Sequence, residues 1–311
     1  MALHPAQWVY RRFLNGGIRI LNAFGLNVAK TRDYYSPLPL RRELRKTQQR
    51  WDRPSELIGL DYDLDAMKAL ARELVARHHD DYLELPSYDE AKALGYGPGF
   101  TIHDAMWLFT MLRHLKPRRY VEVGSGLSTW YALEALRRNA AEGSPCEAIA
   151  VDPYANDRVR SLDGLRIEQV EVQSAPMELF TELGDGDVLF IDSTHVVKLD
   201  GDVPHLYLEV VPRLAPGVWV HGHDIHFPFN VPHPAEQYVF RAKWPLYWTE
   251  SMLLQAFLAF NRDFEIVLSP PLLRHFDEEF LRETVPGYRP VEISNHDTHS
   301  GSLWYRRVPE V

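Results

Sequence analysis

Three histidines and one aspartate lie within six positions, "HGHDIH" at residues 221–226, directly after an apolar run. Imidazole and carboxylate side chains can bind a metal ion or transfer protons near neutral pH. On an extended strand, His221 and His223 point to one side and Asp224 and His226 to the other. The pattern therefore predicts separate roles rather than one metal cage. We expect His223 and His226 to contact a substrate or carry protons, with solvated loop residues as the alternative.

A glycine-rich turn follows the first strongly apolar strand pattern, in "YVEVGSGLSTW" at residues 120–130. Such a turn lets a ligand approach the backbone, and the helix that it opens offers unpaired N–H groups. The next strand pattern ends in "IAVDPY", where Asp152 lies 28 positions after Gly124. An acid at that point can accept hydrogen bonds from both hydroxyls of a ribose. The two motifs together predict a nucleotide or cofactor site.

Two positions distinguish the cofactors that use this geometry. A dinucleotide fingerprint has the form Gly-x-Gly-x-x-Gly, and its third glycine lets helix and strand pack closely beside a pyrophosphate. Thr129 occupies that third position here, which argues against NAD. Glu122, two residues before the first glycine, suits an amino-acid ammonium group better than a pyrophosphate. A cofactor that contains an amino acid is therefore favoured. The order of the histidine-rich stretch also differs from the His-x-His-x-Asp-His arrangement of di-zinc hydrolases.

The ordered motifs "VEVGSG", "AVDPY" and "VLFIDSTH" resemble those of the class I S-adenosylmethionine-dependent methyltransferases, from about residue 100 to residue 311. The resemblance implies a Rossmann-like α/β fold: a seven-stranded, mostly parallel sheet of order 3-2-1-4-5-7-6 with helices on both faces. It also implies S-adenosylmethionine as the cofactor. The cofactor-binding residues that it implies are Glu122, Gly124, Ser125, Gly126, Ser128, Asp152, Gln173, Ser174 and Asp192.

In "FIDSTH", Asp192 is followed three positions later by His195, and this spacing resembles the cation-dependent branch of small-molecule and sugar O-methyltransferases, including the catechol type. The resemblance implies that the acid binds a divalent metal and that the later residue is the general base. We therefore expect catalytic roles for His195, Asp192 and Asp224, with the two aspartates as ligands of Mg²⁺ or another divalent cation. That branch commonly has Asn or Asp after the second acid, whereas Ile225 follows Asp224 here. A histidine that only caps the strand end is the alternative for His195.

Residues 227–250 are predicted to form an insertion that covers the acceptor. Their prolines and aromatic residues are typical of an irregular apolar lid, which excludes water and can stack on a ring. Trp248 and Glu250 are expected to contact the acceptor. Core packing is the alternative for the aromatic residues, and surface ion pairing is the alternative for Glu250.

Alternating β-rich and helical patterns from residue 100 onward are typical of a parallel sheet covered by helices on both faces. Two further strands near the end favour an antiparallel pair that closes the sheet. The predicted strands are Tyr120–Val123, Ala148–Val151, Leu165–Val170, Val188–Ile191, Val218–His221, Phe264–Leu268 and residues 302–307. The predicted helices of this part are Thr101–Leu115 and residues 128–141, 204–214 and 250–260.

Residues 1–95 have a helical and charged pattern and are predicted to form an N-terminal extension or cap to a methyltransferase domain at residues 96–311. Helices are expected at Trp8–Phe24, Leu40–Trp51 and Asp65–His79. The first of these has an apolar face. It is expected to pack on the chain's own domain, to form a homodimer contact, or to lie on a membrane surface.

Composition limits the partners. Acidic residues outnumber basic ones by 43 to 34 without a long basic block, which disfavours nucleic acid and favours a small-molecule acceptor. The single cysteine, Cys146, cannot form an internal disulfide, so a reducing cytoplasm is expected. No apolar run approaches the roughly 18 residues of a membrane span.

These observations predict transfer of a methyl group from S-adenosylmethionine to a hydroxyl of a small metabolite or sugar-like acceptor. Methylation of a nitrogen is the nearest alternative. An NAD-dependent oxidoreductase and a non-catalytic protein that binds S-adenosylmethionine are more distant alternatives.

Overall fold

Short runs rich in β-branched and aromatic residues form one seven-stranded sheet in the computed structural model, which describes residues 16–24, 26, 36, 38–97 and 99–309. The strands are β1 (Arg119–Val123), β2 (Glu147–Val151), β3 (Leu165–Glu168), β4 (Val188–Ile191), β5 (Trp219–Gly222), β6 (Phe264–Leu268) and β7 (Leu303–Arg307). Their order is β3-β2-β1-β4-β5-β7-β6, and β7 runs in the direction opposite to the other six strands. The predicted fold class and strand order are confirmed.

The chain divides into two compact units, Met1–Trp51 and Asp52–Val311. Residues 52–95 thus belong to the same unit as the sheet, and the predicted domain boundary at residue 95 stays a prediction. In the first unit, residues 16–23 are helical, and most of the predicted helix Trp8–Phe24 lies outside the described residues. None of the described helices is long and apolar enough to cross a lipid bilayer.

Besides the helical residues 16–23, eleven α-helices can be followed through the described residues. They are α1 (Arg41–Lys46) and α2 (Gln48–Trp51) in the first unit, then α3 (Leu64–Leu83), α4 (Tyr88–Ala93), α5 (Ile102–Leu115), α6 (Leu127–Ala141), α7 (Asp157–Arg160), α8 (Glu178–Thr181), α9 (Asp202–His205), α10 (Glu250–Leu258) and α11 (Pro270–Thr284). Short 3₁₀ or π-helical turns lie at Val172–Ser174, Leu206–Val210, Val211–Arg213, Glu236–Arg241 and His296–Thr298.

Two helical predictions need correction. No helix is predicted from the sequence at α11, which begins with Pro270 and Pro271. They occupy its first turn, where no N–H is needed, and Ser269 caps the helix by accepting from the N–H of Leu272. The predicted helix at residues 204–214 instead divides into α9 and two irregular turns, since Pro212 has no N–H to donate.

The parallel strands end in register, and this brings the functional motifs to one edge of the sheet. The residue after a strand donates its N–H to the last carbonyl of a neighbouring strand at three adjacent places. Gly124 donates to Val151 (3.0 Å), Asp192 to Val123 (2.9 Å) and His223 to Ile191 (2.9 Å). The glycine turn, the β4 acid and the histidine-rich stretch are therefore held side by side.

Arg113, in the last turn of α5 that leads to the start of β1, joins three helices. Its buried guanidinium on α5 donates to Asp81 of α3 (2.9 Å), to Asn139 of α6 and to Glu142 just after α6 (2.5 Å). A buried cation of this kind is stable only because its donors face acceptors. Arg113 thus fixes α5, from which a site residue described below projects.

We expect Arg113→Ala to lower the free energy of unfolding by about 2–3 kcal/mol, because charge-assisted hydrogen bonds and packing are both lost. Urea unfolding followed by circular dichroism measures this effect. The control is Arg137→Ala, which removes an exposed ion pair with Glu134 and should cost less than about 1 kcal/mol. Equal losses in the two variants would contradict a joining role for Arg113.

Candidate active site

The glycine turn is shaped by the strand beside it. Gly124 follows β1 with φ +88°, and a Cβ at this position would overlap the carbonyl oxygen of Asp192 at the end of β4. Only glycine allows the two strand ends to approach so closely. Gly126 then forms the N-cap of α6, and its N–H donates to the Thr129 hydroxyl at 2.9 Å.

A cavity of about 450 Å³ opens at this turn. The predicted cofactor residues on its wall are Gly124, Ser125, Gly126, Ser128, Asp152, Gln173 and Asp192. Ser174 is exposed and lies outside the wall, so the expected contact of Ser174 with adenine is not supported. The Asp152 carboxylate points toward the glycine turn. It accepts from the N–H (3.0 Å) and the hydroxyl (2.5 Å) of Ser125, and its other oxygen accepts from the N–H of Tyr154 (2.7 Å).

Glu122 does not line the cavity, which corrects its expected contact with an ammonium group. Its side chain is fully buried beneath the turn, where the hydroxyls of Tyr120 (2.8 Å) and Thr129 donate to it. Burial raises the pKa of Glu122 to about 8, and the two hydrogen bonds oppose that shift only in part. Thr129, at the position of the missing third glycine, therefore links the turn to a buried acid.

His195 lies where the end of β4 meets the start of α10. Its Nδ1 is 2.8 Å from Oε2 of Glu250, and its Nε2 is 3.3 Å from Oδ1 of Asp192 and 3.4 Å from Oδ2 of Asp224. Burial by itself lowers the pKa of His195, but hydrogen bonds to Asp192 and Glu250 outweigh burial and raise the pKa to about 10. These neighbours therefore favour the protonated ring of His195. A positive charge beside Asp192 and Asp224 would oppose this shift and favour the neutral ring that a base needs.

Glu250 faces His195 rather than the cavity, which corrects its expected contact with the acceptor. It is 1% exposed, and its second oxygen accepts from the Tyr207 hydroxyl at 2.7 Å. The carbonyl of His195 in turn accepts from the N–H groups of Thr249 (2.8 Å) and Glu250 (3.1 Å). The end of the 227–250 segment is thus hydrogen-bonded directly to the cluster.

The histidine-rich stretch departs from the predicted alternation, because the strand ends at Gly222 and Asp224 has φ +56°, so that His223 and Asp224 lie in one cluster while His221 and His226 have other surroundings. His221 is buried in a stack between Phe190 and Trp304, with ring centroids 4.6 and 4.2 Å away. His226 is 2% exposed, and neither ring nitrogen has a hydrogen-bond partner among the described residues. The Trp248 ring lies 6.5 Å from His226 and 4.7 Å from His195. The alternative of solvated loop histidines is wrong for both His223 and His226, because both are buried.

Asp104 is a site residue that the sequence reasoning missed. It projects from the first turn of α5, is fully buried, and faces Nε2 of His223 at 3.1 Å. Burial alone would raise the pKa of Asp104, but hydrogen bonds from His223, Ser300 and Ser302 hold it well below its usual range. The available signals were the N-cap sequence at Thr101 and "SGS" before β7, and neither indicates a distant partner.

Asp192, His223 and Asp224 each offer one ligand atom, and these atoms lie within 4.8 Å of one another. Nδ1 of His223 is 3.1 Å from Oδ1 of Asp192 and 3.8 Å from Oδ2 of Asp224. Adjacent ligands of a cation at bond lengths of about 2.1 Å lie roughly 3.0 to 3.4 Å apart. The distance to Asp192 lies in this range and the distance to Asp224 exceeds it slightly, so a small shift of Asp224 would complete a donor set for a divalent cation that contains a nitrogen as well as carboxylates. The metal-binding role of Asp192 and Asp224 stays a prediction.

Comparisons with known proteins concern the part of the chain that carries the glycine turn and the strand-end acids. Residues 121–225 match a family model described as a methyltransferase domain. A protein of Archaeoglobus fulgidus is 29% identical over 135 residues, a match that spans 41% of this chain and 59% of that relative. These matches support the expected resemblance to methyltransferases over residues 121–225.

Solved structures of similar architecture include an O-methyltransferase from Bacillus cereus in complex with SAH (10% identity, TM-score 0.41, covering 79% of this chain and 100% of that one). Another is the O-methyltransferase TomG from Streptomyces achromogenes, involved in tomaymycin synthesis and in complex with SAM (14% identity, TM-score 0.39, covering 81% and 92%). We base the proposed activity on the family match and on the site geometry.

Gly124→Ala tests the close approach of β1 and β4. We expect the added methyl group to displace the Asp192 carbonyl and to lower both thermal stability and affinity for S-adenosylmethionine. The control, Gly164→Ala, has a similar φ of +84° but nothing within 4 Å of its Cβ. It should show only the cost of a left-handed non-glycine residue, roughly 1–2 kcal/mol. A Gly124→Ala variant as stable as this control would contradict the interpretation.

Glu122→Gln tests the buried acid through pH. Because folding raises the pKa of Glu122 from about 4.5 to about 8, its protonated form stabilises the fold at low pH. That contribution is lost as pH rises through 8. We expect Glu122→Gln to remove part of the decrease in Tm between pH 5 and pH 8 and to be the more stable form at pH 8. Calorimetry at several pH values measures this difference, and the exposed control Glu178→Gln should leave the profile unchanged.

Proposed function

We propose that this protein transfers a methyl group from S-adenosylmethionine to a hydroxyl of a small metabolite or sugar-like acceptor. The observation that carries the proposal is one continuous cavity. Its wall includes the glycine turn, Asp152, Asp192 and Thr194. Because Asp192 lies both on this wall and in the acid–imidazole cluster, we treat the cofactor site and the cluster as one site. When bound, S-adenosylmethionine supplies an already activated methyl group, so the chain's own residues need to bind, orient and deprotonate.

Different parts of the cavity wall offer chemistry that suits parts of the cofactor. The first turn of α6, at Leu127 and Ser128 after the glycine turn, lies on this wall, and a helix N-terminus suits a carboxylate. Asp152 offers two carboxylate oxygens that suit ribose hydroxyls, and its hydrogen bonds with Ser125 and Tyr154 hold it in position. Gln173 lies on the wall beside the predicted adenine region, where its amide donates to the carbonyl of Asp200 at 2.8 Å.

The proposed base is His195. Glu250 can only accept at Nδ1 when ionised, so a neutral His195 ring carries its proton there and presents the lone pair of Nε2 toward Asp192 and Asp224. That nitrogen is the one nearest the cluster, where an acceptor hydroxyl would lose its proton. Since an alcohol gains more from a base than an amine does, this arrangement favours O-methylation.

A divalent cation held by Asp192 and Asp224 is part of the proposal. It would supply positive charge beside the acceptor oxygen and lower the pKa of the hydroxyl. Two further residues are proposed to contact the acceptor. His226 is buried without a hydrogen-bond partner among the described residues, and Trp248 packs on His195. A cytoplasmic location and a homodimer remain predictions.

Methyl transfer from labelled S-adenosylmethionine to a panel of hydroxylated small molecules tests the activity. We expect His195→Ala to lower turnover by about 10²–10⁴ while leaving cofactor affinity unchanged, because the base acts only on the acceptor. Asp152→Asn should instead weaken cofactor binding in calorimetry.

Matched controls are His114→Ala on α5 and Asp163→Asn in an exposed loop, and both should behave as the parent protein does. Binding without turnover on any acceptor would indicate a non-catalytic binding protein. Absence of cofactor binding would overturn the proposed function, and full turnover by His195→Ala would overturn the assignment of the base.

A further inference from the structure

His223 presents its two ring nitrogens to different carboxylates. Nε2 lies 3.1 Å from Oδ2 of Asp104, whereas Nδ1 faces Asp192 and Asp224 at 3.1 and 3.8 Å. An ionised carboxylate only accepts hydrogen bonds, so Asp104 fixes the proton of a neutral ring on Nε2. The lone pair of Nδ1 is then directed between the two aspartates.

Four hydrogen-bond donors besides His223 hold the carboxylate of Asp104 in place. Its oxygens accept from the hydroxyls of Thr101 (2.8 Å), Ser300 (2.7 Å) and Ser302 (2.8 Å), and from the N–H of Gly301 (3.2 Å). Thr101 is the N-cap of α5, and the other three donors lie on the turn before β7. The carboxylate is therefore fixed by two elements and directed at the imidazole of a third.

We infer that His223 is a third ligand of the divalent-cation site, that Asp104 is its positioning residue, and that the nitrogen donor makes the site prefer a first-row transition metal over Mg²⁺. The inference rests on the proposed function, since it concerns the same centre. Imidazole suits ions such as iron, nickel and zinc, whereas Mg²⁺ prefers oxygen ligands and retains water. A carboxylate hydrogen-bonded to a metal-binding imidazole fixes the ring and makes it a stronger ligand.

Separate titrations of the whole chain with Co²⁺ and with Mg²⁺ test this inference by calorimetry and by the visible absorption of bound Co²⁺. We expect Co²⁺ to bind at least about 100-fold more tightly than Mg²⁺, in keeping with the nitrogen donor. Asp104→Asn retains the size of the side chain but removes its charge. It should weaken Co²⁺ binding by about 10–100-fold and shift the Co²⁺ absorption band.

His223→Asn replaces the nitrogen ligand with an amide oxygen and should abolish the preference for Co²⁺ over Mg²⁺. Each variant has a matched control at a buried residue outside the cluster. His103→Asn changes a histidine that contacts the backbone of Arg289, and Asp187→Asn changes an acid that accepts from the backbone at Arg118 and Arg119. Both controls should keep the Co²⁺ preference of the parent protein.

Equal affinity of the parent protein for Co²⁺ and Mg²⁺, or binding of neither, would overturn the inference. Retention of the preference in folded His223→Asn would do the same, and this variant decides the matter if Asp104→Asn does not fold. Cofactor binding and methyl transfer are measured in parallel. A protein that methylates but lacks the metal preference contradicts only this inference, whereas one that does not bind S-adenosylmethionine contradicts the proposed function.

Discussion

Five ionisable groups lie in one row at the site, and all of them except the half-buried Asp192 are buried. Asp104, His223, Asp192, His195 and Glu250 follow one another at distances of 2.8 to 3.3 Å, so that acid and imidazole alternate. Desolvation of each charge is unfavourable unless an opposite charge lies beside it. The alternation meets this requirement at every position. It also means that α5, the ends of β4 and β5, and the start of α10 must be assembled together.

The backbone around the row reinforces this assembly. Gly301 packs closely on Asp224, since a Cβ added to Gly301 would lie 2.7 Å from the Cα of Asp224. The carbonyl of Gly301 also accepts a hydrogen bond from the N–H of Ile225 at 2.8 Å. On the other side, the His195 carbonyl receives the first N–H groups of the α10 region. The turn before β7 and the end of the 227–250 segment are consequently part of the site, although both are distant from it in sequence.

Some features could be predicted from sequence because they are local. Apolar runs indicated all seven strands to within two residues, and Gly124 with Asp152 indicated the cavity, since strand ends in a parallel sheet share one edge. From their places in the sequence, Glu122 before the glycine turn is expected beside an ammonium group, and Glu250 at the end of the 227–250 segment beside an acceptor. Each instead faces a hydroxyl or an imidazole that only the folded chain brings near.

The α/β alternation, the glycine turn and the acids at the strand ends can be read from the sequence, because they depend on backbone propensity and on residues close together in the chain. The pairing of His223 with Asp104, 119 residues away, and of His195 with Glu250, 55 residues away, becomes visible only in the folded chain. Such pairings follow from how α5 and α10 pack on the sheet. A buried charge requires a partner, but the requirement does not specify which distant residue supplies it.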